Sequence, residues 1–296
     1  MEDIGVRNSD VLLSDAVLFV EGPGDKEVFS IFSDKLGMSF AERNINVIPM
    51  GGGKYAERGA PIRSDLLKDI SQKAPIRHMF ILDRDERRQE EVHGLEERLK
   101  DKVHFLSARE LENYLLVPRA IVEALRSKQL DSSLSIENTS AVTEEQISQL
   151  IQNAADKLNN TILIKRVRTE IGGLREGLLP PRVLSSLIAY AGESNLADLI
   201  LQAINSQWHE FLTSLDIDAI VSAEREALDA RWNVPQQRLQ LAPGEEILAE
   251  VFQAFGLTYA KPADTVRIAR AMRPEEIHTE IVDVMKKVLA LSPIRN

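Results

Sequence analysis

The amino-acid sequence predicts an α/β fold in which a parallel sheet flanked by helices is followed by a second, all-α domain. Two features lead to this prediction. Before Leu111, short β-branched apolar runs alternate with segments of helical period. After Leu111 nearly every segment has helical period, with Pro and Gly near the expected helix ends. Strand–helix alternation favours right-handed crossovers and a parallel sheet covered on both faces.

The predicted strands share short length and buried, β-branched composition. They are Ala16–Val20, Ile45–Pro49, His78–Leu82 and Val103–Leu106. Apolar residues at helical spacing predict helices over Lys26–Leu36 and Ile62–Ile70, between the first three strands. We therefore assign residues 1–117 to the sheet domain and residues 118–296 to the helical domain.

The helical domain is predicted from period alone, because apolar residues recur there at helical spacing. The predicted helices are Val117–Ser127, Thr143–Asn159, one starting near Thr161, Leu196–Leu212, Ala219–Arg231, Glu245–Phe255, Ala263–Met272 and Pro274–Leu291. Leu130–Ser140 is rich in Ser and Asn and is predicted to be a mobile loop.

Composition restricts the classes of protein and of site. The 296 residues are 44% hydrophobic, enough for a core, and the absence of cysteine excludes disulfides and thiolate metal sites. No signal peptide or run of roughly 18 apolar residues is found, so we predict a soluble, cytoplasmic protein with no membrane partner. The net charge of −10 neither supports nor excludes a nucleic-acid substrate, because carboxylates that hold divalent cations also make the net charge more negative.

The first acidic motif follows the first strand, where Glu21 is placed at the strand exit and Asp25 at the start of the next helix. Gly22 and Gly24 permit a sharp turn between them and leave room for a phosphate or an ion. Both carboxylates can then face one point. The alternative is an ordinary turn in which Asp25 caps the helix.

The second acidic motif follows the third strand, where Asp83 and Asp85 point the same way if the chain is extended. The alternative is a solvated acidic loop, because charged residues surround the motif. Both motifs lie at the carboxyl ends of predicted parallel strands, where open α/β sheets bind ligands. Four convergent carboxylates suit Mg²⁺ or Mn²⁺.

A third acidic segment follows the fourth strand and supplies either Glu110 or Glu112 to the same edge of the sheet. Glu112 is the preferred candidate, since it lies beside Asn113 and Tyr114 directly before an apolar run. The alternative is a glutamate that only stabilises a helix N-terminus. These positions complete a predicted metal site of Glu21, Asp25, Asp83, Asp85 and Glu112.

In this order the acidic residues resemble a Toprim domain, the fold shared by topoisomerases, primases and certain nucleases. Glu21-Gly22 is similar to its first motif and Asp83-Arg84-Asp85 to its Asp-x-Asp motif. The closer resemblance is to the C-terminal catalytic region of the OLD (overcoming lysogenization defect) family of ATPase-linked nucleases. It rests on Ile4–Asp10 before Val17–Gly22, on Arg109-Glu-Leu-Glu-Asn-Tyr-Leu115, and more weakly on a tail at Ala260–Val266.

The resemblance implies that a C-terminal segment, about residues 241–296, returns to the active site and supplies a catalytic lysine. Lys261 is the position carried across, and Lys165 is the second choice. Family members often have Pro-Gly-Lys where this chain has Pro243-Gly244-Glu245. That departure leaves open any role for a lysine there.

The resemblance also implies an ATPase as partner, upstream in the same chain or as a separate subunit, and a helicase-like partner is a further option. Gly51-Gly-Gly-Lys54-Tyr55 does not supply that ATPase, because Ile48 and Tyr55 break the P-loop pattern. We interpret it as a glycine loop near the site. The opening of the sequence favours a fragment of a longer ATPase over a stand-alone subunit.

The leading hypothesis is a metal-dependent nuclease that uses two ions, Mg²⁺ or Mn²⁺, to cut DNA in phage defence or DNA repair. The catalytic residues would be Glu21, Asp83 and Lys261. Basic residues that would contact DNA, or simply form solvated surfaces, are Arg87, Arg88, Lys165, Arg166 and Arg168. Three alternatives are a nuclease for RNA or tRNA, a topoisomerase or primase, and a non-catalytic Toprim scaffold.

Overall fold

A four-stranded parallel sheet lies at the centre of the computed structural model, which describes residues 13–51, 60, 76–131, 142–175, 209, 213 and 215–292. Its strands are β1 (Ala16–Val20), β2 (Ile45–Pro49), β3 (Arg77–Leu82) and β4 (Val103–Phe105). The four strands predicted from β-branched runs are confirmed, with ends that differ by one residue at most.

The strand order β2-β1-β3-β4 determines which acidic motifs are neighbours. β1 and β3 are the two inner strands and pair in parallel, with Phe19 opposite Phe80. All five residues of β1 are buried, as expected for a strand covered on both faces. Glu21 and Asp83, which directly follow these two strands, therefore emerge side by side at one edge.

Helices cover the sheet on its flanks, which confirms the predicted α/β class. Helix α1 (Pro23–Lys35) packs on β2 and buries Phe29 and Phe32. Helix α2 (Gln89–Leu99) packs on β4. It was not among the predicted helices, because its apolar stripe is narrow and most of its residues are polar or charged.

The remaining described elements are helical, as the sequence predicts for the second part of the chain. The helices are α3 (Pro118–Asp131), α4 (Glu144–Lys157), α5 (Asn159–Arg175), α6 (Ile217–Trp232), α7 (Pro235–Leu241), α8 (Gly244–Gln253), α9 (Ala263–Ala271) and α10 (Thr279–Leu291). Short 3₁₀ segments lie at Lys100–Lys102, Leu111–Leu115 and Pro274–Glu276. α7 was not predicted as a helix.

The single helix predicted over Pro274–Leu291 is wrong in its first part. A 3₁₀ turn at Pro274–Glu276 ends before His278, and α10 starts at Thr279. The physical reason is local capping, since the His278 ring nitrogen Nδ1 accepts the Glu280 N–H at 3.2 Å.

The chain divides into two compact units. The first, Met1–Leu158 with Pro235–Asn296, contains the sheet, and the second is Asn159–Val234. Within the second unit α5 packs on α6, and Arg166 pairs with Glu224 at 2.5 Å. The division into domains at residues 117 and 118 stays a prediction, because compactness alone does not define a domain.

Several predicted segments lie wholly or mostly outside the described residues. These are Ile62–Ile70, Leu196–Leu212, the glycine loop at Gly51–Tyr55 and the loop at Leu130–Ser140. Within the described part of the chain, no helix combines the length and apolar character needed to cross a membrane.

Candidate metal centre

The first acidic motif forms a closed turn between β1 and α1. Asp25 Oδ2 accepts the Gly22 N–H at 2.8 Å, so Asp25 does cap the turn, as the alternative interpretation states. Glu21 Oε1 accepts the Asp83 N–H at 3.1 Å and thereby joins the ends of β1 and β3. Both carboxyl groups are buried, which a purely local turn does not require.

Gly24 does not leave an open space for phosphate in this structure. A Cβ atom built on Gly24 would lie 3.0 Å from Cβ of Pro262. The glycine instead allows the loop that carries Lys261 and Pro262 to approach the start of α1. The C-terminal part of the chain therefore does contact the first acidic motif.

The second acidic motif is not extended, which corrects the geometry assumed for Asp83 and Asp85. Asp85 has a φ of +43°, and its N–H donates to the Arg109 carbonyl at 3.0 Å. Asp83 Oδ1 accepts the Leu111 N–H at 3.1 Å. The chain turns at Asp85, so the extended geometry in which both side chains point the same way does not hold; Asp83 is half-buried, and the Asp85 side chain is 37% exposed.

The third acidic segment adds Glu112, and not Glu110, to the acidic cluster of Glu21, Asp25, Asp83 and Asp85. The Glu112 side chain is 1% exposed, and Lys261 Nζ lies 2.7 Å from its Oε1. Apart from this ion pair, no hydrogen bond of normal geometry from the described residues reaches either oxygen of Glu112. Glu110 bonds to Arg109 Nε at 3.0 Å and to the Glu245 N–H at 3.2 Å.

Burial and mutual repulsion shift the acidic groups toward their neutral forms. Burial, followed by the charge of Glu112, raises the pKa of Asp25 to about 7. Burial, followed by the charges of Asp25 and Glu21, raises the pKa of Asp83 well above its usual range. Burial also raises the pKa of Glu21, Asp85 and Glu112. A bound divalent cation would relieve this repulsion.

Two basic side chains partly neutralise the cluster. Arg87 Nη2 lies 3.3 Å from Glu21 Oε1 and its Nη1 lies 3.5 Å from Asp85 Oδ2. The Arg87 guanidinium also donates to the Asp83 carbonyl and is 7% exposed. Contact of Arg87 with DNA stays a prediction, but the structure places this side chain inside the acidic cluster.

Lys261 is the second of these cations, and it pairs with Glu112 and with Glu245. Burial lowers the pKa of Lys261, but the charges and hydrogen bonds of Glu112 and Glu245 outweigh burial, so its pKa is raised. Lys261 is therefore a protonated ammonium at neutral pH. Its catalytic role stays a prediction, while its place beside Glu112 is a property of the fold.

Arg109 is a site residue whose role sequence reasoning missed, although it lies in the quoted segment Arg109–Leu115. Its guanidinium pairs with Glu86 and with Glu110, and its backbone N–H donates to the Gln240 carbonyl at 2.8 Å. Together with the bond from Asp85 to its carbonyl, these contacts join the second acidic motif to α7. The one sequence signal for this role is that Arg109 belongs to the segment that carries the family resemblance.

Gly244 brings α8 against the Glu112 backbone. A Cβ atom at Gly244 would lie 2.6 Å from the Asn113 nitrogen and 2.8 Å from the Glu112 carbonyl carbon. Asn113 Nδ2 donates to the Ala242 carbonyl at 2.7 Å and holds the same contact. Glu245 stands where family members often have a lysine. It therefore lies within the site, where it faces Lys261.

The other residues predicted to contact DNA lie at the start of α2 and on α5. Arg88 Nε pairs with Glu91 at 2.8 Å at the start of α2. Lys165, Arg166 and Arg168 lie on α5 in the second compact unit, where Lys165 and Arg166 are half-buried and Arg168 is exposed. Their predicted contacts with DNA, and the second-choice role of Lys165, stay predictions.

The donor set suits a divalent cation, although its oxygens are not arranged around one. Among the described residues, no three Asp, Glu or His side chains are already positioned as ligands of a single ion. The carboxylates point instead toward backbone N–H groups, Arg87 and Lys261. The buried oxygens of Glu112 without normal hydrogen bonds, and the repulsion at Asp25 and Asp83, fit an all-oxygen site.

Residues 12–85 match the protein-family model described as "Overcoming lysogenization defect protein-like, TOPRIM domain". The match includes β1 to β3 and four of the acidic residues, whereas Glu112 and Lys261 lie beyond it. Comparison with curated proteins and with solved structures gave no match.

Proposed function

Residues 12–85 form an OLD-like Toprim domain, and from this premise we propose that the chain is a divalent-metal-dependent nuclease that cuts DNA. Toprim domains are typically metal-dependent nucleases or primases. The observation that carries the proposal is the state of Glu112. Its carboxylate is 1% exposed, its counter-ion among the described residues is Lys261, and its charge acts on Asp25 and Asp83.

In this proposal Glu21, Asp25 and Glu112 hold one ion, and Asp83 and Asp85 hold a second, with Mg²⁺ or Mn²⁺ as the metal. When bound, such ions supply a water of lowered pKa and stabilise charge on the leaving oxygen. Glu21 keeps the two inner strand ends together through its bond to the Asp83 N–H. The Lys261 ammonium, 36% exposed, would donate to a phosphate oxygen entering from solvent.

The partners proposed here rest on the resemblance to OLD-family nucleases. They are a DNA substrate and an ATPase, in the same chain or as a separate subunit, within a phage-defence or repair assembly; a helicase-like partner is a further option. Backbone contacts to DNA would come from Arg87, Arg88, Lys165, Arg166 and Arg168. An RNA substrate is the alternative, because metal chemistry at phosphate does not distinguish the sugar.

The test is cleavage of supercoiled plasmid and of RNA by the full chain with Mg²⁺, Mn²⁺, Ca²⁺ or EDTA. We expect nicking or linearisation that requires Mg²⁺ or Mn²⁺ and falls at least about 100-fold in Glu21→Gln and Asp83→Asn. Both amide variants keep an oxygen that accepts the observed N–H bond. Asp283→Asn, on the exposed face of α10, is the matched control and should retain activity.

Two other outcomes would change the proposal. Cleavage of RNA without cleavage of plasmid would assign the chain to the RNA alternative. If neither substrate is cut and calorimetry detects no Mg²⁺ or Mn²⁺ binding, the nuclease proposal is wrong. The domain would then be a non-catalytic Toprim scaffold.

A further inference from the structure

Lys261 lies between two carboxylates that differ strongly in burial. Its Nζ is 2.7 Å from Oε1 of Glu112, which is 1% exposed, and 3.1 Å from Oε2 of Glu245, which is 49% exposed. One partner belongs to the buried acidic cluster and the other faces solvent. The ammonium of Lys261 can therefore shift toward either Glu112 or Glu245 and still have an anionic partner.

The interaction with Glu112 occupies a position that a metal ion would need. Glu112 is paired with no cation other than Lys261 among the described residues. A buried carboxylate without a counter-ion is costly, so Lys261 stabilises the cluster as it stands. A divalent cation held by Glu112 would place like charges side by side, and the two cations would repel each other.

The surroundings of Lys261 allow its side chain to move while its backbone stays in place. Lys128 Nζ donates to the Thr258 carbonyl at 2.7 Å and pairs with Asp264, which is 1% exposed. Asp264 Oδ2 accepts the Ala260 N–H at 2.6 Å. These bonds anchor the loop on both sides of the lysine. Movement would then require only rotation of its flexible four-carbon chain.

The backbone of Glu245, the second carboxylate partner of Lys261, is also held in place. It lies in the first turn of α8, and its backbone N–H donates to Glu110 Oε2 at 3.2 Å. Gly244 packs α8 directly against Glu112 and Asn113. Glu245 is therefore positioned to retain the ammonium when Glu112 no longer does.

We propose that Lys261 is the resident counter-ion of Glu112, that a divalent cation displaces it, and that Glu245 then holds the displaced ammonium. This inference rests on the proposed function, since it concerns the same metal centre. It identifies Glu245 as a positioning residue, and it explains why the carboxylates are not already arranged around an ion. The cluster keeps a positive partner both with and without metal.

The test is Mn²⁺ binding by calorimetry on the full chain, with Lys261→Met, Glu245→Gln and the double variant. Removing the competing ammonium should tighten Mn²⁺ binding in Lys261→Met about tenfold, equivalent to about 1.4 kcal/mol. Glu245→Gln should weaken binding about threefold, because the displaced lysine loses its acceptor. In the Lys261→Met background Glu245→Gln should have less than half of that effect on the binding free energy.

Lys286→Met is the control for net charge, because it removes an exposed ammonium that pairs with nearby Asp283. It should leave Mn²⁺ affinity unchanged. Circular dichroism on each variant verifies that the fold is retained.

Two results would overturn the exchange, and a third would overturn the proposed function on which it rests. Unchanged or weaker Mn²⁺ binding in Lys261→Met would mean that the lysine supports the site and does not compete. An equal loss from Glu245→Gln in both backgrounds would make Glu245 a direct contributor to metal binding. Absence of Mn²⁺ binding in both wild type and Lys261→Met would instead contradict the proposed function itself.

Discussion

Single residues control how closely separate segments approach in the candidate metal centre, and Gly244 is the clearest case. Its missing Cβ lets the start of α8 lie against the backbone of Glu112 and Asn113. Arg109 has a comparable effect through its polar groups, which bind Glu86, Glu110 and the backbone of Gln240. Neither residue is a candidate metal ligand, yet both determine where the candidate ligands lie.

Gly244→Ala is expected to destabilise the chain by about 2 kcal/mol, because the new Cβ would overlap backbone atoms that cannot move independently. It should also weaken Mn²⁺ binding by displacing Glu112. Urea unfolding and calorimetry measure the two effects.

Gly94→Ala in α2 is the matched control, since a Cβ there meets nothing within 4 Å. Alanine in a helix interior should stabilise by about 0.5–1 kcal/mol. If the two variants behave alike, close approach at Gly244 is not what the fold requires.

At the scale of elements, the first turn of α10 holds the segment that carries Glu112. Glu280 Oε1 lies 3.0 Å from His104 Nε2 and accepts the Ser107 N–H at 2.9 Å, while its Oε2 accepts the Tyr114 hydroxyl at 2.5 Å. The Tyr114 oxygen in turn accepts the Ala108 N–H at 3.1 Å. One carboxylate thus joins α10 to β4 and to the 3₁₀ segment Leu111–Leu115.

This arrangement predicts a pH-dependent contribution to stability. Burial acts to raise the pKa of Glu280, but hydrogen bonds from His104, Tyr114 and Ser107 outweigh it and lower the pKa to about 2. Because the pKa is lower in the folded state, the stabilisation is present above the ordinary glutamate pKa of 4.5 and is lost as pH falls toward 2.

Glu280→Gln should therefore reduce the free energy of unfolding by on the order of 2 kcal/mol at pH 7, and by clearly less at pH 3. Urea unfolding of both proteins at the two pH values gives this difference. A loss of equal size at both pH values would show that the charge of Glu280 is not the stabilising feature.

On the scale of the whole molecule, the acidic cluster opposes folding in the absence of metal. The pKa of Asp83 is raised well above its usual range by burial and by neighbouring carboxylates, so its ionised form destabilises the folded chain at neutral pH. A bound cation would reverse the sign of this contribution, since it binds the folded state and not the unfolded one.

Thermal unfolding should show this reversal. In EDTA, Asp83→Asn is expected to be more stable than wild type by on the order of 1–3 kcal/mol. With Mn²⁺ at about 100 times its Kd, wild type should gain about 2.7 kcal/mol, and the variant should gain far less. Equal Mn²⁺-induced shifts in the two proteins would place the metal elsewhere on the chain.

How far the sequence predicts the fold differs between elements and contacts. The β-branched runs identify all four described strands, and helical period identifies most of the described helices. The sequence does not predict α2, because its apolar stripe is narrow. The prediction of one helix over Pro274–Leu291 is wrong, because His278 caps a separate helix that begins at Thr279. Local propensity sets such elements, but capping and packing set their ends.

The sequence by itself determined the α/β class and the acidic positions, because both follow from local patterns and from where parallel strands end. Only the tertiary structure decided that Asp85 turns, that Arg87 is buried beside Glu21, and that Lys261 bridges Glu112 and Glu245. The physical reason is that each such contact joins side chains from different segments. Their distance depends on how helices pack on the sheet, which no local pattern encodes.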